Sequence, residues 1–365
     1  MEMLITHATA LEAFRSYGLR PRLERRAICA DSIPSRVPPP DRVERIGRRL
    51  ASFGVDPEPI ELLISDIRAR SRTKALKTRI CSSSLPVGSC VALGGGVACV
   101  SPEHLAVQMA PALTRLELQV LLCELMGTYS IAPDAPGGML QRDRALMTKE
   151  SLLRHLEMLG RFDGADLVRR ALPATVEGLA SPMETKVYLR ATLPPRYGGY
   201  GIEIDAVNQA IEVAVLGKKG AWRTRKPDFI IKSRPGSASR ARFVALEYNG
   251  KGHLTREQQA ADERRTNEIL AHGGVEYLLN KDLYDDLAYT DELMGAICAD
   301  AGRRSYRVTK ELASRRRALR KSLWQELERI DGVTWGGKKR GDYRERVSDG
   351  TPDAFEAVPL EAYGM

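Results

Sequence analysis

Residues 202–249 alternate between apolar and polar side chains, a pattern typical of strands that bury one face. The segments IEIDAV, KPDFIIK and RFVALEYN are predicted strands, separated by a turn at LGKKG and a loop rich in Gly, Ser and Arg. A predicted helix over 256–271 stops at a Gly-Gly pair, VEYLL forms another short strand, and Asn280 caps a further helix. This order of elements predicts an α/β (or α+β) domain with a mixed sheet flanked by helices.

The first part of the chain has a different pattern, with helical spacing of apolar residues interrupted by proline. Helices are predicted from Thr6 onward and over 41–53, where Asp41 and Glu44 match a capping box. The stretch LPVGSCVALGGGVACV at 85–100 predicts short strands around a glycine turn, and Ser-Pro-Glu at 101–103 predicts the start of a buried helix. We therefore expect a mostly helical N-terminal region with a small β element. The loop APDAPGG at 132–138 is the best candidate for a domain border.

Composition narrows the class of protein. The chain has 365 residues, of which 43% are hydrophobic and 28% charged, as expected for a soluble globular protein of two or three domains. No apolar run reaches the ~18 residues of a membrane-spanning helix, and the N-terminus lacks an export signal. We expect a cytoplasmic protein with no membrane partner, whose six cysteines are reduced. The formal charge of +9 suits a polyanionic partner such as nucleic acid.

Candidate chemistry lies in the segment VALEYNGKGHL at 244–254. Side chains alternate along a strand, so Glu247 and Asn249 share one face. Asp228 begins the neighbouring predicted strand, and pairing of the two strands would bring its carboxylate to the same end of the sheet. Mg²⁺ takes one or two carboxylates and completes its shell with waters and substrate phosphate. This arrangement predicts a metal site suited to phosphodiester hydrolysis.

A structural explanation exists for each of these residues taken singly. Asp228 could cap or terminate a strand, and Glu247 could pair with a neighbouring Arg. Glu184 stands three residues after Ser181, the spacing of a capping box that satisfies helical N–H groups. His253, next to a Gly turn, could hydrogen-bond the backbone. Both explanations stay open for every residue of the set.

The same residues resemble a known family. Asp228 in KPDFII, LEYNGKGH at 246–253, Asp262 and Arg265 in ADERRTNEILAHGG, and the strand VEYLL are similar to the Vsr-like branch of the PD-(D/E)xK nuclease superfamily. The resemblance covers about residues 180–287 and implies a restriction-endonuclease-like fold with metal-dependent cleavage of nucleic acid. In this chain Asn249 stands where the (D/E)xK motif has Lys and where the Vsr-like branch usually has Asp, which removes one negative charge from the metal site.

The resemblance implies roles for individual residues, with Mg²⁺ or Mn²⁺ as cofactor. The catalytic group is Asp228, Glu247 and His253, and the metal ligands are Asp228, Glu247, Asn249 and Glu184. By their position around the proposed site, the candidate nucleic-acid contacts are Lys251, Arg256, Arg240 and Arg242. His253 would act as general base or phosphate contact. The four basic residues contact phosphates in this interpretation, and in the alternative they are solvated surface.

The first half resembles AbiEi-type abortive-infection antitoxins in the segments ITHATALEAF, LPVGSCVALGGGVACV and SPEHLAVQMAPALTRLELQVLLCELMGTYS. That family comprises DNA-binding regulators, some with a Vsr-like domain at the end of the chain. The two resemblances together predict an AbiEi-like region at 1–135, a helical connector at 136–179 and a Vsr-like domain at 180–300. They imply a DNA endonuclease in phage defence or a toxin–antitoxin system, with a toxin or regulatory protein as a further partner. The alternative is a non-catalytic DNA-binding regulator or interaction module that retains the nuclease fold.

The C-terminal part is strongly basic. Residues 302–330 contain ten Lys or Arg against three Glu, with apolar residues at helical spacing. This pattern predicts a basic amphipathic helix within 301–330, which either docks on the preceding domain or follows a nucleic-acid backbone. The tail at 331–365 is polar and predicted to be disordered.

Overall fold

The computed structural model describes residues 1–16, 19, 32–56, 58–234, 241–250, 256–303 and 308–337; side chains of 256–262 lie outside the description. The described chain divides into two compact units. The first comprises Met1–Thr175 together with residues 335–337, and the second comprises Val176–Thr334. Both units combine helices with mixed β-sheet, which confirms the expected α/β class.

The first unit is built on a five-stranded sheet in the order β3-β2-β1-β5-β4. Its strands are β1 (Met3–Ile5), β2 (Ile60–Ile64), β3 (Leu76–Ile80), β4 (Cys90–Gly94) and β5 (Val97–Val100). Strand β1 runs parallel to β5 and antiparallel to β2, β2 is parallel to β3, and β4 is antiparallel to β5. A separate hairpin pairs β6 (Tyr129–Ile131) with β7 (Met139–Gln141).

Six helices of the first unit fall among the described residues. They are α1 (His7–Arg15), α2 (Pro40–Ala51), α3 (Pro102–Met109), α4 (Arg115–Met126), α5 (Lys149–Leu159) and α6 (Ala165–Ala171). The expected Ser-Pro-Glu start is confirmed, since the Ser101 hydroxyl accepts the His104 N–H at the N-terminus of α3. Helices α3 and α4 are buried almost all round, as their continuous apolar sequence predicted.

Two details of the first unit differ from the sequence-based expectation. Its five-stranded sheet is larger than a small β element, because β1, β2 and β3 were not predicted. The capping box at Asp41 is wrong: α2 begins at Pro40 with Pro39 as its N-cap, which places Asp41 in the first turn. Proline has no N–H to leave unsatisfied and a φ already suited to a helix, so it occupies the first helical position instead.

A pair of histidines is buried in the first unit. Nδ1 of His104 on α3 lies 3.2 Å from Nε2 of His155 on α5, a hydrogen bond between two imidazoles. Burial lowers the pKa of His104 to about 3, and burial also lowers the pKa of His155. Both rings are therefore neutral at physiological pH, one donating and the other accepting.

The second unit contains a four-stranded sheet in the order β13-β12-β11-β8. Its strands are β8 (Ala206–Val207), β11 (Phe229–Lys232), β12 (Phe243–Tyr248) and β13 (Gly274–Leu279). Strand β11 is antiparallel to β8 and β12, whereas β12 and β13 are parallel. A hairpin of β9 (Ile211–Ala214) and β10 (Trp222–Arg225) forms a second, two-stranded sheet.

Helices pack around these strands. They are α7 (Pro182–Thr192), α8 (Arg256–Ala271), α9 (Lys281–Asp285), α10 (Leu287–Asp300) and α11 (Lys310–Arg329). Asn280 caps α9 through its side chain, as predicted, by accepting the Leu283 N–H at 2.9 Å. The basic helix α11 buries Leu323 and Leu327 and lies against α7, while most of its Lys and Arg side chains face solvent. Among the described residues, no helix is both long enough and apolar enough to cross a membrane.

Candidate functional site

The pairing of β11 with β12 determines where the two predicted metal ligands lie. Phe229 is opposite Leu246 in this antiparallel pair, so continuation of the register by one step sets Asp228 opposite Glu247. Opposed residues of antiparallel strands lie on the same face of a sheet. Asp228 and Glu247 are therefore cross-strand neighbours on the same face, at one end of the β11–β12 pair.

Asp228 is held by the backbone of the neighbouring strand. Its Oδ2 accepts the N–H of Tyr248 at 2.7 Å, and its own carbonyl accepts the N–H of Asn208 at 2.9 Å. Burial and the nearby negative charge of Glu184 raise the pKa of Asp228 to about 7, although the Tyr248 N–H and Arg265 act in the opposite direction. Asp228 thus changes its charge close to neutral pH, far from the usual range of an aspartate.

Glu184 combines a helix-capping role with proximity to Asp228. It is the third residue of α7, its N–H donates to the Ser181 hydroxyl at 3.0 Å, and its Oε2 accepts the Ala180 N–H at 2.8 Å. The same oxygen accepts a hydrogen bond from the Asn208 side chain at 2.7 Å. Glu184 is buried. Asn208 links it to Asp228, because the Asn208 side chain binds the Glu184 carboxylate and the Asn208 N–H binds the Asp228 carbonyl. The Ser181 half of the predicted capping box is present, the Glu184 carboxylate binds the N–H of Ala180 instead of Ser181, and its charge raises the pKa of Asp228.

Glu247 is ion-paired with Arg265 of α8. Nη1 of Arg265 donates to Oε1 of Glu247 at 2.5 Å, and Nη2 contacts Oε2. Nε of Arg265 lies 3.0 Å from Oε1 of Glu276 on β13, whose other oxygen accepts the Thr266 hydroxyl at 2.6 Å. The side chain of Glu276 is 1% exposed, so Arg265 compensates a buried charge as well as a half-buried one.

The donor set suits a hard divalent cation in chemical type, since carboxylate and amide oxygens are what Mg²⁺ prefers. Arg265 contacts two carboxylates, those of Glu247 and Glu276, so a single guanidinium faces two negative charges at this end of the sheet. Within the described part of the chain, however, no group of three or more His, Cys, Asp or Glu side chains is close enough together to hold a metal. The set that fits the ion is therefore the pair Asp228 and Glu247, with water and substrate completing the shell.

The other predicted site residues either lie farther along the chain from Asp228 and Glu247 or fall outside the described residues. Asn249 follows β12, and its N–H donates to the Leu279 carbonyl at 2.7 Å, which extends the β12–β13 ladder past Glu247. Arg242 precedes β12, five residues before Glu247 and thus roughly 16 Å away along the strand. Arg240, Lys251 and His253 lie outside the described residues, and Arg256 begins α8 with a side chain that is also outside them.

Three residues of the site escaped the sequence-based assignment. Glu276 and Asn208 were not predicted, and Arg265 was not identified as the neighbouring Arg that pairs with Glu247. Alternation in VEYLL places Glu276 on the same face as Ala245 and Glu247 once the parallel register is known. The register depends on how β12 and β13 pair in the folded chain, so the sequence alone could not place Glu276 beside Glu247.

Comparisons with protein-family models, with curated proteins and with solved structures found no match to this chain.

Proposed function

We propose that the second unit hydrolyses phosphodiester bonds in DNA with Mg²⁺ or Mn²⁺ as cofactor. The observation that carries this proposal is the position of Asp228, opposite Glu247 and close to the charge of Glu184 at one end of a sheet. Ionisation of Asp228 is opposed by burial and by a like charge, which makes the arrangement costly for stability. Ionisable groups in such surroundings cluster at functional sites.

Asp228 and Glu247 would hold the ion, with the Asn249 amide as a further oxygen donor, whereas Glu184, which is not grouped with both carboxylates, would act through its charge on Asp228. A bound divalent cation lowers the pKa of water and neutralises charge on a phosphate. Asp228 ligates only as a carboxylate, so the site gains affinity for a cation as pH rises through about 7. Arg265 orients Glu247 and balances Glu276, which is a positioning role. His253 is proposed as general base or phosphate contact, and Lys251, Arg256, Arg240 and Arg242 as nucleic-acid contacts.

The biological setting follows from the two resemblances and stays a proposal. The second unit would be the Vsr-like nuclease domain of a restriction-endonuclease-like fold. The first unit would be an AbiEi-like regulatory part. The protein would then act on DNA in the cytoplasm, in phage defence or a toxin–antitoxin system, with a toxin or regulatory protein as a second partner.

One observation favours a second candidate function, that of a non-catalytic DNA-binding or interaction module. Both oxygens of Glu247 are engaged by Arg265, so a cation would compete with a guanidinium already in place. Asn249 adds no charge to offset this competition. A fold that has lost its chemistry can keep its binding surface.

A cleavage assay separates the two functions. The full chain is incubated with supercoiled and single-stranded DNA in Mg²⁺ or Mn²⁺, next to Asp228→Asn and the control Asp282→Asn, which changes an exposed acid of α9. We expect the Asp228 variant to lose more activity than the ~10- to 100-fold typical of outer-shell changes at a metal site. The control should cleave like the unmodified chain. Cleavage that survives in Asp228→Asn, or salt-sensitive binding without any cleavage, would leave the second candidate.

A further inference from the structure

The β9–β10 hairpin presents a large aromatic side chain to solvent. Trp222 begins β10 and is 61% exposed, which is unusual for a residue of its size. In the register of the hairpin Trp222 lies opposite Ala214 and Thr224 opposite Glu212, and all four residues are exposed. The opposite face carries Val213, which is fully buried. One face of the hairpin is therefore buried through Val213, and the other, here called the tryptophan face, is exposed to solvent and consists of Glu212, Ala214, Trp222 and Thr224.

Helix α8 connects this hairpin to the carboxylate pair. Glu268 on α8 accepts hydrogen bonds from Nε and Nη2 of Arg225 at 3.1 and 2.6 Å and lies 3.7 Å from Nη1 of Arg223. One turn earlier, Arg265 binds Glu247, and one turn later the His272 ring packs edge-on against Trp222 at 6.3 Å between centroids. Residues 265 and 268 lie on one side of α8, His272 directly follows its last residue, and the three span about 10 Å. The hairpin is therefore fixed to the element that binds Glu247.

Positive charge accompanies the exposed ring. Residues 215–226 contain Lys218, Lys219, Arg223, Arg225 and Lys226 and no acidic residue. Lys218, Lys219 and Lys226 are exposed, and the Arg223 side chain is 48% exposed. The nearest acid on the tryptophan face, Glu212, is held by the Thr224 hydroxyl at 2.5 Å. An exposed aromatic ring close to the exposed Lys218, Lys219 and Lys226 matches a ligand that has both flat aromatic groups and repeated negative charge.

We propose that the β9–β10 hairpin binds an unpaired DNA strand, with a base stacked on Trp222 and neighbouring phosphates on Lys218 and Lys219. Asp228 follows Trp222 by six positions in the sequence, a span of at most about 22 Å. A strand seated on the hairpin is thus within a few nucleotides of the carboxylate pair. This assignment rests on the proposed nuclease function for its substrate, and it adds a substrate-binding surface outside the metal site.

Binding is tested without catalysis, on the full chain in EDTA, by the fluorescence anisotropy of a labelled mixed-sequence DNA 16-mer. Stacking of a base on an aromatic side chain predicts that Trp222→Ala weakens binding by about 5- to 150-fold. Trp222→Phe keeps an aromatic face and should retain most of the affinity. Trp324→Phe is the matched control, because Trp324 lies on α11 and donates to Asp285 instead of facing solvent. Equal affinity in Trp222→Ala and in the unmodified chain would overturn the proposal.

The phosphate contacts have their own readout. Each cation that neutralises a phosphate of a single strand contributes ~0.7 to the slope of log affinity against log salt. The double variant Lys218→Ala, Lys219→Ala should therefore reduce the slope by about 1.4. The double variant Arg70→Ala, Lys74→Ala removes two exposed charges of the first unit and should leave the slope unchanged. An unchanged slope in the hairpin variant, or an equal fall in the control, would overturn the phosphate assignment.

Failure of this inference and failure of the nuclease function can be told apart. Strand binding that depends on Trp222 without any cleavage supports the hairpin surface and removes the catalytic proposal. Cleavage of DNA with the same KM in Trp222→Ala removes the hairpin surface and keeps the catalytic proposal. Tighter binding to an RNA strand or to duplex DNA of the same sequence, each by tenfold or more, would overturn the choice of an unpaired DNA strand.

Discussion

Replacing Asp228 by asparagine removes a carboxyl group that the fold keeps partly protonated at neutral pH. The pKa of Asp228 rises from 3.8 to about 7 in the folded chain. Between these two values the folded state holds a proton that the unfolded state has released, so stability falls as pH increases across that window. Above pH 7 the loss is complete. Asparagine cannot ionise, and its side-chain oxygen can still accept the Tyr248 N–H.

The size of the effect follows from the pKa difference. A difference of about 3 pKa units at ~1.4 kcal/mol each gives about 4 kcal/mol at pH 8, as an upper limit. At pH 5 only about 1 to 2 kcal/mol of this penalty has developed. We therefore expect Asp228→Asn to stabilise the second unit, and its advantage over the unmodified chain to grow by about 2 to 3 kcal/mol from pH 5 to pH 8.

The assay is amide hydrogen exchange in EDTA, read on peptides that cover β11 and β12, because exchange gives the opening free energy of the second unit by itself. Asp282→Asn serves as the control for loss of an exposed acid. Equal stability of Asp228→Asn and the unmodified chain at both pH values would refute the reasoning. A stability difference that is independent of pH would also refute it, since that result would point to a change in packing.

Two further substitutions test the roles of Arg265 in the second unit and of His104 in the first. Arg265→Leu leaves the carboxylates of Glu247 and Glu276 without their counter-charge, so we expect the free energy of unfolding of the second unit to fall by about 3 to 5 kcal/mol. Urea unfolding measures this loss, and Arg315→Leu, which changes an exposed residue of α11, is the control. A loss below about 1 kcal/mol would show that the ion pairs are solvent-screened. In the first unit, the lowered pKa of His104 means that the unfolded state binds the extra proton below pH 6.5, so His104 alone should lower stability by ~1.4 kcal/mol per pH unit as pH drops toward 4, and the lowered pKa values of His7 and His155 add to this fall. His104→Phe should make this pH dependence less steep in exchange experiments on β1 and β5, and a dependence as steep as in the unmodified chain would contradict the assignment.

Local patterns predicted the elements around the site better than those of the first unit. Alternating side chains identified β11, β12 and β13, and a single capping residue identified the start of α9, because both signals depend on neighbours in sequence. Strand β2 has the sequence IELLI and is buried along its whole length, so it shows no alternation. Strand β1 has three residues and is defined only by its partners β2 and β5.

In the candidate site, too, some features could be predicted from the sequence and others could not. The juxtaposition of Asp228 and Glu247 followed from two predicted strands and an assumed antiparallel pairing. The environment of each carboxylate did not follow, because it depends on groups brought in by other elements. Glu184 on α7 raises the pKa of Asp228, and Arg265 on α8 joins Glu247 to Glu276 on β13. These contacts depend on helix placement, which the sequence pattern does not specify.

The central claim is that Asp228 and Glu247 form a binding site for a divalent cation. Calorimetric titration of the full chain with Mn²⁺ at pH 6 and pH 8 tests it most directly. With the pKa of Asp228 near 7, the ionised fraction and hence the affinity should be about tenfold higher at pH 8, with release of a proton on binding at pH 6. Asp228→Asn should bind weakly at both values and lose the pH dependence, whereas Glu247→Gln should bind weakly but keep it, because Asp228 still titrates. Binding of equal strength in the Asp228 variant, or no Mn²⁺ binding by the unmodified chain at pH 8, would contradict the account.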